Sequence, residues 1–536
     1  MKGHYSDVWQ AVAAALPDRP AITTRDATST YRDFARDAGA LATHLEEAGV
    51  RPGDAMAILM YNRPEYLVAL FACFATGIAP VPINYRYRSG EVAELLQDSR
   101  PAALLFPTSL SDVAFGAVAE AQITPLLIQV DDGGTRVDGA IDYADVMGGG
   151  GELPRTAPAD GELRLYTGGT TGRPRAVVWG TQDILEVQLY SIYTAAGLAT
   201  PDTMADVVHI AEDPRTPHVA TLPLAPFMHG TALFTSMNTL MLGGTVIIHA
   251  SPRMDADEAV RLIADKGATR VIVAGDAVAL PLVEAAERAG ITRLGRVDSI
   301  FSSGMRFSDA TKSRLHQLGD IAIIDLLAST EGGPFAVSVT NSTEDIPGRL
   351  RLLPGAVVFD ESMREVQDTV GARGVLAFRG TLPRGYFEDE EKSRATFPEI
   401  GGVRHVMPRD WVEVQGDGCV ELLGRGSSVV NTGGEKVYPV EVEDALLSHP
   451  DVADAVVFGL PDTRFGETLT AVVVPAEGAS VTEEDLRAHV DPLLAGYKKP
   501  RRILLRESLD RSPHGKIDMA RLKQDAASEI RAVNSS

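Results

Sequence analysis

Residues 54–83, "DAMAILMYNRPEYLVALFACFATGIAPVPI", change apolar pattern twice. "DAMAILM" is a continuous apolar run, the mark of a strand buried on both faces. Asn62 follows, a residue type that caps helices, and Leu67, Leu70, Phe71 and Phe74 then recur at i, i+3, i+4 and i+7. Gly77 supplies a helix stop, and "APVPI" begins a second strand-like run. Strand, helix and strand in this order make a parallel pair, because parallel strands need a crossover long enough to hold a helix.

The rhythm returns at 243–274 as "TVIIHA", a helix around "ADEAVRLIADKG", and "RVIVAG". It returns again at "RVDSIFSSG" and "IAIIDLLASTEGG". The expected class is α/β, with a large N-terminal domain of layered, mostly parallel sheets and flanking helices. Ligands of such sheets gather beyond the carboxyl ends of strands, where "SSG" (302–304) and "STEGG" (329–333) stand. A strand must also end in some loop, so a plain connection is the competing reading of both. Residues 131–161 and 200–217, rich in Gly, Asp, Pro and other polar types, read as inserts or linkers. After Arg425 the pattern becomes a small α+β unit: a helix around "PVEVEDALLSHP", the runs "VADAVVFG" and "TLTAVVVP", a helix at "TEEDLRAHVDPLL", and "RRILLRE".

A chain of 536 residues exceeds one core at roughly 100–200 residues per domain. The net charge of −23 argues against a nucleic-acid partner, whose phosphates would repel it. The two cysteines, Cys73 and Cys419, sit in apolar or strand-like contexts and read as buried thiols rather than a disulfide. No charged segment leading into a long apolar core opens the sequence, and no window approaches the ~18–20 apolar residues of a membrane span. The expected compartment is a reducing cytoplasm. The 11 histidines show no HxxxH spacing, so no zinc-type site is expected.

Residues 166–175 read "YTGGTTGRPR", between the apolar runs 163–166 and 176–179: strand, flexible turn, strand. Gly168, Gly169 and Gly172 let backbone amides approach a ligand, Thr167, Thr170 and Thr171 add hydroxyls, and Arg175 adds a fixed charge. That chemistry suits a polyphosphate. The common fingerprints fail: Arg173 stands where the P-loop needs its second Gly, and Thr167 where the dinucleotide pattern needs its first. A different phosphate loop and a plain hairpin therefore both remain open on composition alone.

Taken in order, the motifs resemble those of the adenylate-forming superfamily, which includes acyl-CoA synthetases, nonribosomal adenylation domains and firefly luciferase. The resemblance runs from about residue 8 to 523. "YTGGTTGRPR" is similar to the family's phosphate loop, with Gly168, Arg175 and Ala176 in place of Ser, Lys and Gly. "LPLAPFMHGTA" (222–232) resembles the next core motif, and "DLLASTEGG" (325–333) resembles [ND]-x-Y-G-x-T-E. "GVLAFRG" (374–380), "GYFEDEEKSRATF" (385–397), "RDW" (409–411), "GRGSSVVNTGGEKVYPVEVE" (424–443) and "RSPHGKID" (511–518) resemble the remaining ones.

The resemblance implies a division into an adenylate-forming domain over 1–424, a hinge at 425–430 and a mobile C-terminal domain over 431–536. It implies ATP, Mg²⁺ and CoA as cofactors and a small carboxylic acid as substrate. Residues 167–172 and Arg175 would hold the outer phosphates. Ser303, Gly304, Leu326, Ala328 and Thr330 would border the nucleotide. Asp410 and Arg425 would meet the ribose hydroxyls, and Glu331 would bind Mg²⁺. Lys516 would bridge the carboxylate and the α-phosphate. His229 has two roles open, a base for the thiol or a wall of the acyl pocket beside Met228, Phe234, Gly304 and Met305. Read without the motif, Glu331 and Lys516 are solvated charges, and Asp410 is an ion-pair partner of Arg409 or a turn cap. A homodimer is compatible with this picture.

Three departures bear on the reaction. Leu327-Ala328 replaces the usual Tyr-Gly, removing an aromatic that would stack on adenine, by analogy roughly 1–3 kcal/mol. Ser303-Gly304 replaces Gly-Gly, and Ser428 takes the hinge place of Asp or Lys. Three functions follow: an acyl-CoA synthetase, an adenylating enzyme with a non-CoA acceptor (such as one that activates nitrite for an aryl amine), or a non-catalytic nucleotide- or acyl-binding relative.

Overall fold

The computed structural model describes every residue except 1–2, 156, 159, 168–173, 426–429, 433–434, 463–465, 495, 512–516 and 536. The chain divides into two units, Met1–Gly348 with Arg379–Val406, and Arg349–Phe378 with Met407–Ser536.

The first unit is α/β. Its first sheet contains the opening motif: strands Ala79–Ile83, Ala55–Leu59, Ala103–Pro107, Leu126–Val130 and Ile141–Asp142 lie side by side, all parallel. The first three are buried at every position, which is why they lack polar alternation. Helix Pro64–Thr76 buries ten of its thirteen residues and ends at Gly77 in the left-handed region, as the spacing predicts. Trp9 and Phe34 pack edge-on or tilted against each other and against its Phe71 and Phe74 with centroids 5.0–6.2 Å apart, fastening helices Tyr5–Ala15 and Tyr31–Glu47 to the same layer.

Asn62 does not cap that helix. The N-cap is Arg63, with Pro64 at the first helical position, where its missing N–H costs nothing. The Asn62 amide instead donates to the carbonyls of Pro223 (3.0 Å) and Ala225 (2.9 Å), and its oxygen accepts from the Phe227 N–H (2.7 Å). Three buried bonds worth about 1 kcal/mol each fasten the segment that leads to His229.

The second sheet runs Thr28–Thr30, Pro20–Thr23, Thr245–Ile247, Ala220–Pro223, Arg270–Val273, Ser299–Ser303, Ala322–Ser329 and Gly332–Thr340. The six central strands are parallel, and the two outer pairings are antiparallel. Helices Ala256–Lys266 and Asp276–Arg288 supply its apolar cover. Within 200–217, read as a linker, Met204–Glu212 is helical: Thr203 and Asp206 form a reciprocal capping box, and Val207 and Ala211 are buried. The polar, proline-containing flanks of this nine-residue helix mask its apolar positions in the sequence, and the cap fixes its start.

The second unit holds an antiparallel layer, Leu350–Leu352, Cys419–Arg425, Asp410–Gly416, Arg373–Arg379 and Ala356–Phe359. Its C-terminal part is the expected α+β fold: Val452–Asp462 pairs antiparallel with Gly466–Pro475, Arg502–Leu505 pairs parallel with the latter, and helices Pro439–Leu447 and Glu483–Val490 cover the core. Both cysteines are buried free thiols. Among the described residues, no helix is long and apolar enough to cross a membrane.

Candidate active site

The segment 166–175 is the tip of a hairpin. Strands Glu162–Thr167 and Arg175–Gly180 pair antiparallel from Glu162–Gly180 to Thr167–Arg175. The loop itself, with Gly168, Gly169, Thr170, Thr171 and Gly172, lies outside the described residues. Strand Gly385–Tyr386 adds to the far side of Arg175–Gly180, giving a small three-stranded sheet.

Arg175 is paired twice, through Nη1 to Asp98 (3.3 Å) and through Nε to Asp389 (3.2 Å). Asp98 also accepts from the Tyr166 hydroxyl at 2.6 Å, so helix Ser89–Ser99 grips both strands at the loop end of the hairpin. Asp389 caps helix Glu390–Thr396, accepting the Lys392 N–H at 3.0 Å.

Glu331 lies in the two-residue turn between Ser329 and Gly332, which are paired across strands Ala322–Ser329 and Gly332–Thr340. The ladder shifts register between Leu327 and Ser329: Ala328 alone stands opposite Gly333, Pro334 and Phe335, so the extra residues lie on strand Gly332–Thr340. Two side chains of the small sheet hold the turn. The Trp179 indole N–H donates to the Thr330 carbonyl (2.9 Å), and the Tyr386 hydroxyl donates to Glu331 Oε1 (2.7 Å). Burial and the Glu331 charge push the Tyr386 hydroxyl far above its ordinary pKa, so it keeps its proton in this bond. The Lys392 ammonium sits 4.1 Å from the Tyr386 ring centre. Burial lowers its pKa, opposed by the carboxylates of Glu331 and Asp389 and assisted by Arg175.

Ser303 and Gly304 end the strand Ser299–Ser303, and Ser302 accepts the Gly275 N–H at 3.0 Å. Gly304 has φ +80° and open space where a Cβ would stand, leaving its backbone accessible to a flat ligand. His229 is exposed at the N-cap of helix Gly230–Met241. Phe234, one turn on, packs edge-on to Trp179 with centroids 6.5 Å apart. Met228 is buried and packs in the core cluster of the first sheet with Ala57 and Val81. Asp325, first residue of its motif, is half-buried and paired with Lys312 at 2.8 Å; desolvation raises its carboxyl pKa and Lys312 opposes the shift.

In the second unit Asp410 is buried, and its Cα pairs with that of Arg425 across strands Asp410–Gly416 and Cys419–Arg425. Ser428 and Lys516 lie outside the described residues. The first unit thus joins the hairpin, Arg175, Thr330 and Glu331. Asp98, Trp179 and Tyr386 were missed as site residues. Tyr386 stood in a quoted motif, whereas nothing local to Asp98 announces that it reaches Arg175.

Among the described residues, no three His, Cys, Asp or Glu side chains form a metal cage. A lone carboxylate such as Glu331 fits Mg²⁺, which keeps waters and takes its other ligands from substrate phosphates.

Residues 9–387 match the model of the AMP-binding enzyme family, and 441–516 that of the AMP-binding enzyme C-terminal domain. The chain belongs to the AMP-binding enzyme family. Among its relatives in that family, the medium/long-chain-fatty-acid–CoA/3-oxocholest-4-en-26-oate–CoA ligase of Mycolicibacterium smegmatis is 35% identical over 528 residues, covering 96% of this chain and 94% of the relative. The 3-oxocholest-4-en-26-oate–CoA ligase of Rhodococcus rhodochrous is 33% identical over 535 residues, covering 96% and 94%. The fold of this AMP-binding enzyme is similar to that of ATP-bound MatB from Rhodopseudomonas palustris, with TM-score 0.80, 24% identity, and 98% and 99% coverage.

Proposed function

We propose that this AMP-binding enzyme is an AMP-forming acid–CoA ligase acting on an apolar carboxylic acid of the fatty or steroid side-chain class. The observation that supports it most is the near full-length likeness to ligases named for such acids, at 33–35% identity. The geometry agrees with the first half-reaction. A carboxylate oxygen attacks the α-phosphorus of ATP, a new P–O bond forms, and the bond to the β-phosphate oxygen breaks with its electron pair leaving on pyrophosphate. Charge gathers on the departing phosphates and must be met by fixed dipoles and cations. Residues 167–172 supply amides and hydroxyls for them, Arg175 stands behind the loop, and Glu331 would hold Mg²⁺, which neutralises phosphate charge when bound. Ser303, Gly304, Leu326, Ala328 and Thr330 border the nucleotide, with Asp410 and Arg425 at the ribose. Lys516 brings the two anions together. His229 borders the acid or assists the thiol. In the second half-reaction the CoA sulfur displaces AMP from the acyl carbon.

Pyrophosphate release measured over a panel of fatty, aryl and steroid acids and nitrite, with and without CoA, tests this reading. Release with an apolar acid, and AMP and acyl-CoA formed in step with CoA, is expected. ADP and phosphate as products, or turnover with nitrite and an aryl amine that CoA does not accelerate, would overturn it.

The hinge at 425–430 provides a second check. Two poses, one for each half-reaction, require residue 428 to change φ and ψ, which Ser428 permits. Proline fixes φ near −65° and removes the N–H. Ser428→Pro is therefore expected to spare acyl-adenylate formation and to suppress thioester formation, with acyl-AMP remaining on the enzyme. Equal loss of both steps, read from AMP release and acyl-CoA formation, would make position 428 structural.

A further inference from the structure

Arg175 is the one guanidinium at the base of the phosphate-loop hairpin among the described residues that the sequence motif assigns to phosphate, yet Asp98 and Asp389 both hold it. Asp98 is fixed in turn by the Tyr166 hydroxyl. A guanidinium balanced by two carboxylates works first as a clamp on the hairpin. Breaking either pair to reach a ligand would leave a half-buried carboxylate behind, at a cost that offsets much of the new contact.

Lys392 is placed differently. Its backbone N–H is fixed by Asp389, but its ammonium forms no ion pair among the described residues. The ammonium rests on the face of Tyr386, the ring whose hydroxyl holds Glu331. A cation–π seat is a weak hold compared with a carboxylate, so the three N–H donors of Lys392 remain available for a stronger acceptor. The side chain is half-buried, and Glu331 and Asp389 both act on it electrostatically.

We propose that Lys392 is a phosphate-binding cation of this site, which meets the outer phosphates of ATP, and pyrophosphate as it leaves, on the side next to Glu331. The proposal rests on the adenylating reading above and adds to it a residue that the phosphate-loop motif does not contain. It also gives the Arg175 substitution a reason. An arginine satisfied by two carboxylates closes the hairpin, while a compact, strongly hydrated ammonium on a flexible stem follows the phosphates.

The experiment compares binding of ATP and AMP, with and without Mg²⁺, to the full-length chain and to Lys392→Gln, Lys392→Met and Lys392→Arg. AMP lacks the phosphates that Lys392 would meet, so it reports on the nucleotide pocket alone. A charge-assisted contact sets the expected loss: ATP affinity falls about 10- to 30-fold in the Gln and Met variants. AMP affinity and Tm should stay unchanged, and arginine should restore most of the ATP affinity. Unaltered ATP binding in both the Gln and Met variants would overturn the proposal. So would equal losses for ATP and AMP, because that is what a structural role predicts. An unsubstituted chain that binds neither nucleotide would overturn the adenylating reading itself, a result distinguishable from the other two.

Discussion

Replacing Lys516 by alanine is expected to slow acyl-adenylate formation by about 10²- to 10³-fold and to leave thioester formation from supplied acyl-adenylate largely intact. One charge-assisted contact made only in the transition state is worth this much. The adenylation step must hold two anions, a carboxylate and an α-phosphate, within bonding distance, and an ammonium between them removes the repulsion that keeps them apart. Once the acyl-adenylate exists, both anions have been joined, and the second step has no such repulsion to overcome. The measurement is a pair of single-turnover assays, ATP plus acid in one and pre-made acyl-adenylate plus CoA in the other. If the variant loses both rates equally, Lys516 is not the bridging cation, and the motif at 511–518 carries another role.

Glu331→Gln is expected to slow adenylation by about 10²-fold at limiting Mg²⁺, with part of the rate returning as Mg²⁺ is raised, because a neutral amide oxygen ligates this hard cation less well than a carboxylate. The fold should be unaffected, since a glutamine oxygen still accepts the Tyr386 hydroxyl that meets Glu331 at 2.7 Å. Tyr386→Phe separates holding from ligation. It keeps the carboxylate and loses one hydrogen bond, so its effect should be nearer fivefold. A Glu331→Gln enzyme with unchanged Mg²⁺ dependence would show that the carboxylate only closes its turn.

The α/β architecture was legible because each buried strand is an unbroken apolar run and each helix keeps its period, as 54–83 shows. Individual polar contacts were not legible. Asn62 looked like a cap because it precedes a helix, yet Pro64 needs no cap and the amide serves a segment about 160 residues away. The helix Met204–Glu212 hid between polar, proline-containing flanks, and its capping box fixes where it starts. The site motifs marked Glu331, Thr330 and Arg175 by type. That Asp98 and Asp389 hold Arg175, and that Tyr386 holds Glu331, depends on which strands and helices meet. Such pairings join residues at least 55 positions apart and leave no local period in the chain.

The three-stranded sheet of Glu162–Thr167, Arg175–Gly180 and Gly385–Tyr386 carries the hairpin and, through Trp179 and Tyr386, also grips the Thr330–Glu331 turn. This sets the smallest piece that can be exchanged between relatives. A graft of 162–180 alone would bring a foreign partner to the Thr330 carbonyl and to Tyr386, and would strand Asp98 and Asp389 against an unmatched residue 175. A chimera that moves 162–180, 329–333 and 385–397 together, with the host residue at 98 matched to the incoming 175, carries its own fastenings. Recombination libraries for this chain should place their crossovers outside those three segments.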